Sequence, residues 1–170
     1  KLRHYILREL ACVVVGPRNL ARAAILGTLF GFCGPAAVQA QLYFVTNNGT
    51  ITITGYYGTG GEVVIPSTIN NWSVTRIGNS AFASKTAVTS IVLSEGVADI
   101  GTSAFSSCSG LTNLTLANTV TNVGPSAFQS CSKLPSAALP DSVMSLGNSA
   151  FMLCVSLTNV TFGHNLVSIG

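Results

Sequence analysis

Phe82, Phe105, Phe128 and Phe151 stand 23 residues apart. The same step carries Ile77 to Ile100, Val123, Leu146 and Ile169. It also links Gly78, Gly101, Gly124, Gly147 and Gly170, and Ala81, Ala104, Ala127 and Ala150. Four units align without a gap, at 77–99, 100–122, 123–145 and 146–168, and 169–170 opens a fifth. The pattern is therefore expected to continue as a longer array. A unit this short cannot bury an apolar face alone. It becomes stable when neighbours stack on it, so a fixed period of this length predicts a solenoid of one coil per unit.

Within the unit 100–122, "LTNLTL" places Leu111, Leu114 and Leu116 around Thr115, the alternation of a short strand. Stacked coils would align such strands into a parallel sheet. Ala104, Phe105 and Cys108 have the i, i+1, i+4 spacing of one helical or 3-10 turn packed back on that sheet, with Asn79 or Ser103 as caps. The glycines at 78, 101, 124 and 147 are expected at a corner that needs freedom in φ. These expectations define an α/β repeat solenoid. Unit 123–145 departs from the pattern: "LPSAAL" sets Pro135 and Ala137 into the strand, and proline removes a ladder donor, so pairing should weaken there.

The consensus "IGxSAFxxCxxLTxLTLxxxVxx" resembles the BspA-like leucine-rich repeats of bacterial cell-surface proteins. "VVIPSTINNWSVTRIG" at 63–78 resembles a divergent first coil, with "NNWS" lengthening its loop. The resemblance implies a leucine-rich repeat solenoid with a concave parallel sheet and the short turns on its convex side. It also implies that residues between the strand leucines face outward on the concave side. By position these are Thr89, Ser90 and Val92, then Thr112, Asn113 and Thr115, then Pro135, Ser136 and Ala138, then Thr158, Asn159 and Thr161. The implied role is adhesion or protein–protein interaction, with a protein or glycan ligand on that face. The rival readings are a structural spacer and a solenoid carbohydrate-active enzyme.

The segments before the repeats differ in kind. Residues 41–62 contain "TNNGTITIT", where Asn48-Gly49 signals a tight hairpin between alternating strands. This hairpin is the expected N-terminal cap of the first coil. Residues 1–40 hold Lys1, Arg3, Arg8, Arg18 and Arg22 against Glu9, then the apolar run "AAILGTLFGF" and the small-residue stretch "CGPAAVQA". That order is a secretory leader, with cleavage expected before Gln41 and export to the surface or medium. The leader is the only expected membrane contact. Beyond it the charged residues are Arg76, Lys85, Lys133, Glu62, Glu95, Asp99 and Asp141. Three scattered cations argue against nucleic-acid binding, which depends on many Lys and Arg neutralising phosphates.

The same scarcity bears on chemistry. Cys108, Cys131 and Cys154 share one repeat position, which Lys85 fills in the first unit. A nucleophile occurs once, whereas a packing residue recurs. With Phe82, Phe105, Phe128 and Phe151 the thiols are expected to form a buried structural ladder. A disulfide between two adjacent rungs stays geometrically open. His164 is the only histidine after the leader and reads as a solvent-exposed loop residue, and Glu95 and Asp141 read as solvated loop acids. Trp72, Tyr56 and Tyr57 suit cap packing, or a small aromatic patch. No catalytic group, metal site or cofactor is expected, and the chain is not expected to be an enzyme.

Overall fold

The computed structural model describes residues 42–170, so the expected leader and its cleavage point lie outside the described residues. The described chain is a stack of coils. It opens with a hairpin of β1 (Leu42–Asn47) and β2 (Thr50–Tyr56), closed by Asn48 and Gly49 at φ 46° and 84°. Both are left-handed, as a type I′ turn requires. A second small hairpin joins β4 (Thr68–Ile69) to β5 (Trp72–Ile77) through Asn70 and Asn71, also left-handed. The "NNWS" insertion is therefore a tight turn.

Two sides of each coil are strands. The L-x-x-L-x-L stretches supply the front side: β3 (Gly61–Ile65), β6 (Val88–Leu93), β8 (Asn113–Thr115), β10 (Ser136–Ala138) and β12 (Asn159–Thr161). The back side starts with β1, β2 and β5. It continues through the two-residue strands β7 (Asp99–Ile100), β9 (Asn122–Val123), β11 (Ser145–Leu146) and β13 (Ser168–Ile169), in that spatial order. Coil-to-coil pairing is parallel throughout, and from β6 on the front and β5 on the back its register is one repeat: Ile91 faces Leu114, and Ile100 faces Val123. The front is divided. β3, β6 and β8 form one sheet and β10 with β12 another, with no pairing between β8 and β10. Thr112 N–H donates to Thr89 O and Thr158 N–H to Pro135 O, but Pro135 has no N–H to give Thr112 O.

The third side corrects the sequence reading. No helix or 3-10 segment forms among the described residues, so the fold is an all-β solenoid rather than α/β. The expected helical stretch is three linked turns. Ala81 N–H donates to Gly78 O, Ala83 N–H to Ser80 O and Lys85 N–H to Phe82 O within the coil. Ser80, Phe82 and Ser84 instead donate to Thr102, Ala104 and Ser106 of the next coil. A helix turns its donors along its own axis. Here alternate donors turn along the stack, and this needs left-handed residues. Ser80 and Ser84, Ser103 and Ser107, Ser126 and Ser130, and Ser149 and Leu153 all have φ between 53° and 61°. Ser103 is thus a turn residue and no cap, and Asn79 Oδ1 accepts from Thr102 N–H of the next coil at 3.0 Å.

The glycine column is also corrected. Gly78, Gly101, Gly124 and Gly147 do not lie in the left-handed region. They are glycine because coils touch there. A Cβ on Gly124 would sit 2.8 Å from Gly101 C and Ile100 O. Between the three sides lies a dry core with no buried polar or charged residue. Its axis is a column of stacked rings: Tyr56, Phe82, Phe105, Phe128 and Phe151, with successive centroids 5.0–5.3 Å apart. Tyr56, at the end of β2, heads the column, and its hydroxyl accepts from Gly60 N–H at 3.1 Å.

Candidate functional site

The front face carries the residues singled out by position. Thr89, Thr112, Asn113, Thr115, Pro135, Ser136, Ala138, Thr158, Asn159 and Thr161 are exposed, and Ser90 and Val92 are half-buried. Strand alternation produces this pattern: Ile91, Ala137 and Leu139 turn inward and their neighbours outward. Register aligns them into columns, Ser90 beside Asn113 and Ser136 beside Asn159. Rungs of one sheet lie about 4.8 Å apart. Part of the polar capacity is spent within the face. Thr112 Oγ1 donates to Thr89 O at 3.0 Å, Thr158 Oγ1 to Pro135 O at 3.2 Å, and Asn113 Nδ2 to Ser90 Oγ at 3.1 Å. The face is small, uncharged and non-aromatic at these twelve positions. Its chemistry is hydrogen bonding, from hydroxyls and amides held at fixed spacing.

The thiols lie inside. Cys108, Cys131 and Cys154 are buried and free, with no disulfide among the described residues. Each Sγ donates to the phenylalanine carbonyl of the coil before: Cys108 to Phe82 at 3.1 Å, Cys131 to Phe105 at 3.3 Å, Cys154 to Phe128 at 3.1 Å. Burial pushes the Cys108 thiol up to about 11, against the opposing pull of the Lys85 backbone and charge. The neighbouring Cys154 thiol, with burial added, pushes Cys131 up, and the neighbouring Cys131 thiol lowers Cys154 to about 7. Cys154 is the more accessible member of the pair. No histidine or carboxylate accepts a hydrogen bond from any of the three thiols.

His164 has a partner that the sequence reading missed. Asp141 Oδ1 accepts from His164 N–H at 2.8 Å and lies 2.8 Å from Nδ1. Both side chains are exposed. These two bonds, the backbone one first, hold the Asp141 carboxyl below its usual value. Asp141 and His164 occupy one repeat position, and Glu95 and Asn118 precede them in the same column; Glu95 Oε1 accepts from Asn118 N–H at 3.2 Å. These acids therefore act as clamps on the next coil. The signal was available in the 23-residue step from Asp141 to His164. Among the described residues no group of three histidines, cysteines or acids is arranged to hold a metal ion.

The aromatic residues separate. Tyr56 is in the core, Trp72 is exposed beside its asparagine turn, and Tyr57 pairs with Tyr43 at 4.7 Å. Trp72 thus lies outside the core.

Residues 62–170 match the BspA type leucine rich repeat region, in six copies. The chain belongs to that family. No curated protein matches it significantly. Solved structures do. A leucine-rich repeat protein of Bacteroides capillosus is 27% identical at a TM-score of 0.63, over 70% of this chain and 91% of that one. The leucine-rich repeat protein of Treponema pallidum is 26% identical at 0.61, over 70% and 67%. A leucine-rich cell surface protein of Faecalibacterium prausnitzii is 25% identical at 0.57, over 72% of this chain but only 41% of its own length. The BspA-type match starts at Glu62, inside β3, and so takes in the divergent first coil.

Proposed function

We propose that this protein is an exported, surface-displayed binding module whose front face contacts a protein partner. The observation that carries the reading is the face itself. Ten of the twelve positions are exposed, on strands fixed by parallel pairing over a dry core. Hydroxyl and amide groups dominate those positions, and they offer donors and acceptors without charge. The sources of the similar structures, one of them described as a cell surface protein, support display at the surface. Affinity would come from many modest contacts spread along the array rather than from one pocket. A catalytic role has little to work with, because the thiols lack a base and Glu95 and Asp141 are engaged as clamps.

One observation favours a spacer instead. The twelve face positions include no aromatic anchor, the residue type that commonly dominates interface energy. The two readings separate in a binding experiment with immobilised fibronectin, laminin, collagen and mucin. The wild-type protein is compared with Asn113→Arg/Asn159→Arg on the front face and Asn122→Arg on the back. Binding of at least one probe, lost on the front change and kept on the back change, is the expected result. Binding that survives the front change, or no binding to any probe, refutes the proposal in favour of the spacer.

A further inference from the structure

The break between β8 and β10 is confined to one side of the solenoid. Across the same two coils the turn side is fully bonded: Ser103, Phe105 and Ser107 donate to Pro125, Ala127 and Gln129 at 2.7–2.9 Å. The back side is bonded as well, with Asn122 paired to Ser145 and Val123 to Leu146. On the front, β8 and β10 remain neighbours, but no ladder pairing joins them. Thr112 O has no donor, because position 135 is proline. The bond that Leu139 N–H gives Thr161 O at 2.9 Å has no counterpart from Leu116 N–H to Ala138 O. The core registers the same break. Ile91 and Leu93 are buried, whereas Leu114 and Leu116, one coil further and at the lip of the gap, are only half-buried.

A stack paired on two sides and unpaired on the third can bend about the paired sides. We infer that the β8–β10 seam is a hinge line, at which the front face opens and closes as two plates. One plate carries Ser90, Asn113 and Thr115, and the other carries Ser136, Asn159 and Thr161. Bending changes the spacing between the plates without breaking a ladder pairing, since β8 and β10 share none; the side-chain bonds of Ser132 Oγ to Ser109 O and Ser142 Oγ to Val120 O lie at the edges of the front. At every other junction of the front ladder, opening would break backbone bonds. Pro135 sets the position of the hinge, and Ala137 helps by placing only a methyl group in the column of Ile91, Leu114 and Val160. The face is thus adjustable across the seam and rigid within each plate. This inference concerns the fold and stands whatever the partner is.

The test restores the missing rung. The positions equivalent to 135 are Thr89, Thr112 and Thr158, so Pro135→Thr supplies the residue that the other coils use. Hydrogen exchange on the folded chain should show Leu116 N–H exchanging at least 100-fold faster than Leu139 N–H. Pro135→Thr should slow Leu116 by at least tenfold, protect the new amide at 135, and leave Phe105 and Phe128 within twofold. Motion is read separately by nitroxide pairs in a Cys154→Ser background. A pair at Asn113→Cys and Ser136→Cys spans the seam, and a pair at Ser136→Cys and Asn159→Cys lies within one plate. The seam pair should give the broader distance distribution, and Pro135→Thr should narrow it to that of the control pair. Equal protection of Leu116 and Leu139 in the wild type overturns the inference. So do equal distribution widths, or a seam distribution that Pro135→Thr leaves unchanged.

Discussion

Phe105 lies at the centre of the ring column, fully buried, with Phe82 5.0 Å away on one side and Phe128 5.2 Å away on the other. Phe105→Ala removes the ring and leaves a cavity between two coils whose backbones are held in register by Phe105 N–H to Ala127 O and Phe82 N–H to Ala104 O. Collapse into the cavity would stretch those bonds, so the cost should lie in the upper part of the usual 3–5 kcal/mol for a buried phenylalanine. Two stacked partners contribute about 0.5–1.5 kcal/mol each beyond burial. Phe151 occupies the same repeat position but is half-buried and, among the described residues, has a ring neighbour only in Phe128, at 5.2 Å. Its alanine variant loses one stacking partner and less buried area, for about 2 kcal/mol. A domain of this size is stable by about 5–15 kcal/mol, so Phe105→Ala can unfold outright; Phe105→Leu, at about 1–2 kcal/mol, keeps the comparison measurable. Urea unfolding followed by far-ultraviolet circular dichroism gives each cost from the midpoint at constant slope. The expected order is Phe105→Ala above Phe151→Ala, with Phe105→Leu well below Phe105→Ala. Equal costs at 105 and 151 would refute nearest-neighbour stacking as the source of stability.

Gly124→Ala should lower stability by about 2–3 kcal/mol, because its Cβ meets Gly101 C, Ile100 O and Thr102 N, all backbone atoms that cannot move aside. Gly49→Ala, with φ 84° but nothing within 4 Å, should cost only about 1–2 kcal/mol, and thermal melts of the two variants compare the mechanisms. Brief iodoacetamide treatment of folded protein near neutral pH should label Cys154, whose thiol is lowered to about 7, well before Cys108, raised to about 11. Peptide mass analysis reads the order, and equal labelling would contradict the difference in burial and acidity between Cys154 and Cys108. The Asp141 carboxyl is depressed in the folded state below the ordinary 3.8. Its contribution to stability is therefore complete above that value and is lost as the pH falls through the depressed one. Carbon-detected titration should place the Asp141 midpoint below that of an unfolded reference, and His164→Ala should move it part of the way back, since the backbone bond remains.

Much of this architecture is readable from identities at a fixed step, because each column makes a physical demand that only a few residues meet. The phenylalanine column gave the core axis, and the thiol position, filled by Lys85 in one unit and cysteine in three, gave a column without unique chemistry. Composition within a single unit was a poorer guide. Ala104 to Cys108 has helical spacing, yet the turn's donors go to the next coil, and only the recurrence of serine at 80, 103 and 126 and at 84, 107 and 130 hinted at a special backbone. Serine is an unusual occupant of the left-handed region, so the hint was weak. The back strands were missed because two residues cannot display a period.

The columns also show where to look for what varies. A repeat protein can change its surface at outward positions with little penalty, but a change in backbone chemistry at one rung alters the connection between coils. Leu153 stands where its three equivalents, Ser84, Ser107 and Ser130, are serine and still adopts φ 61°, so the inter-coil bonds hold the turn against a side chain poorly suited to it. Pro135 is the opposite case, since the coil geometry persists around it but the bond cannot form. In the first, stacking overrides the residue; in the second, the residue overrides stacking. A proline removes the donor itself, which no amount of neighbouring order restores. Departures that delete a backbone group should therefore mark mechanical boundaries in arrays of this kind, whereas departures that change only a side chain should not.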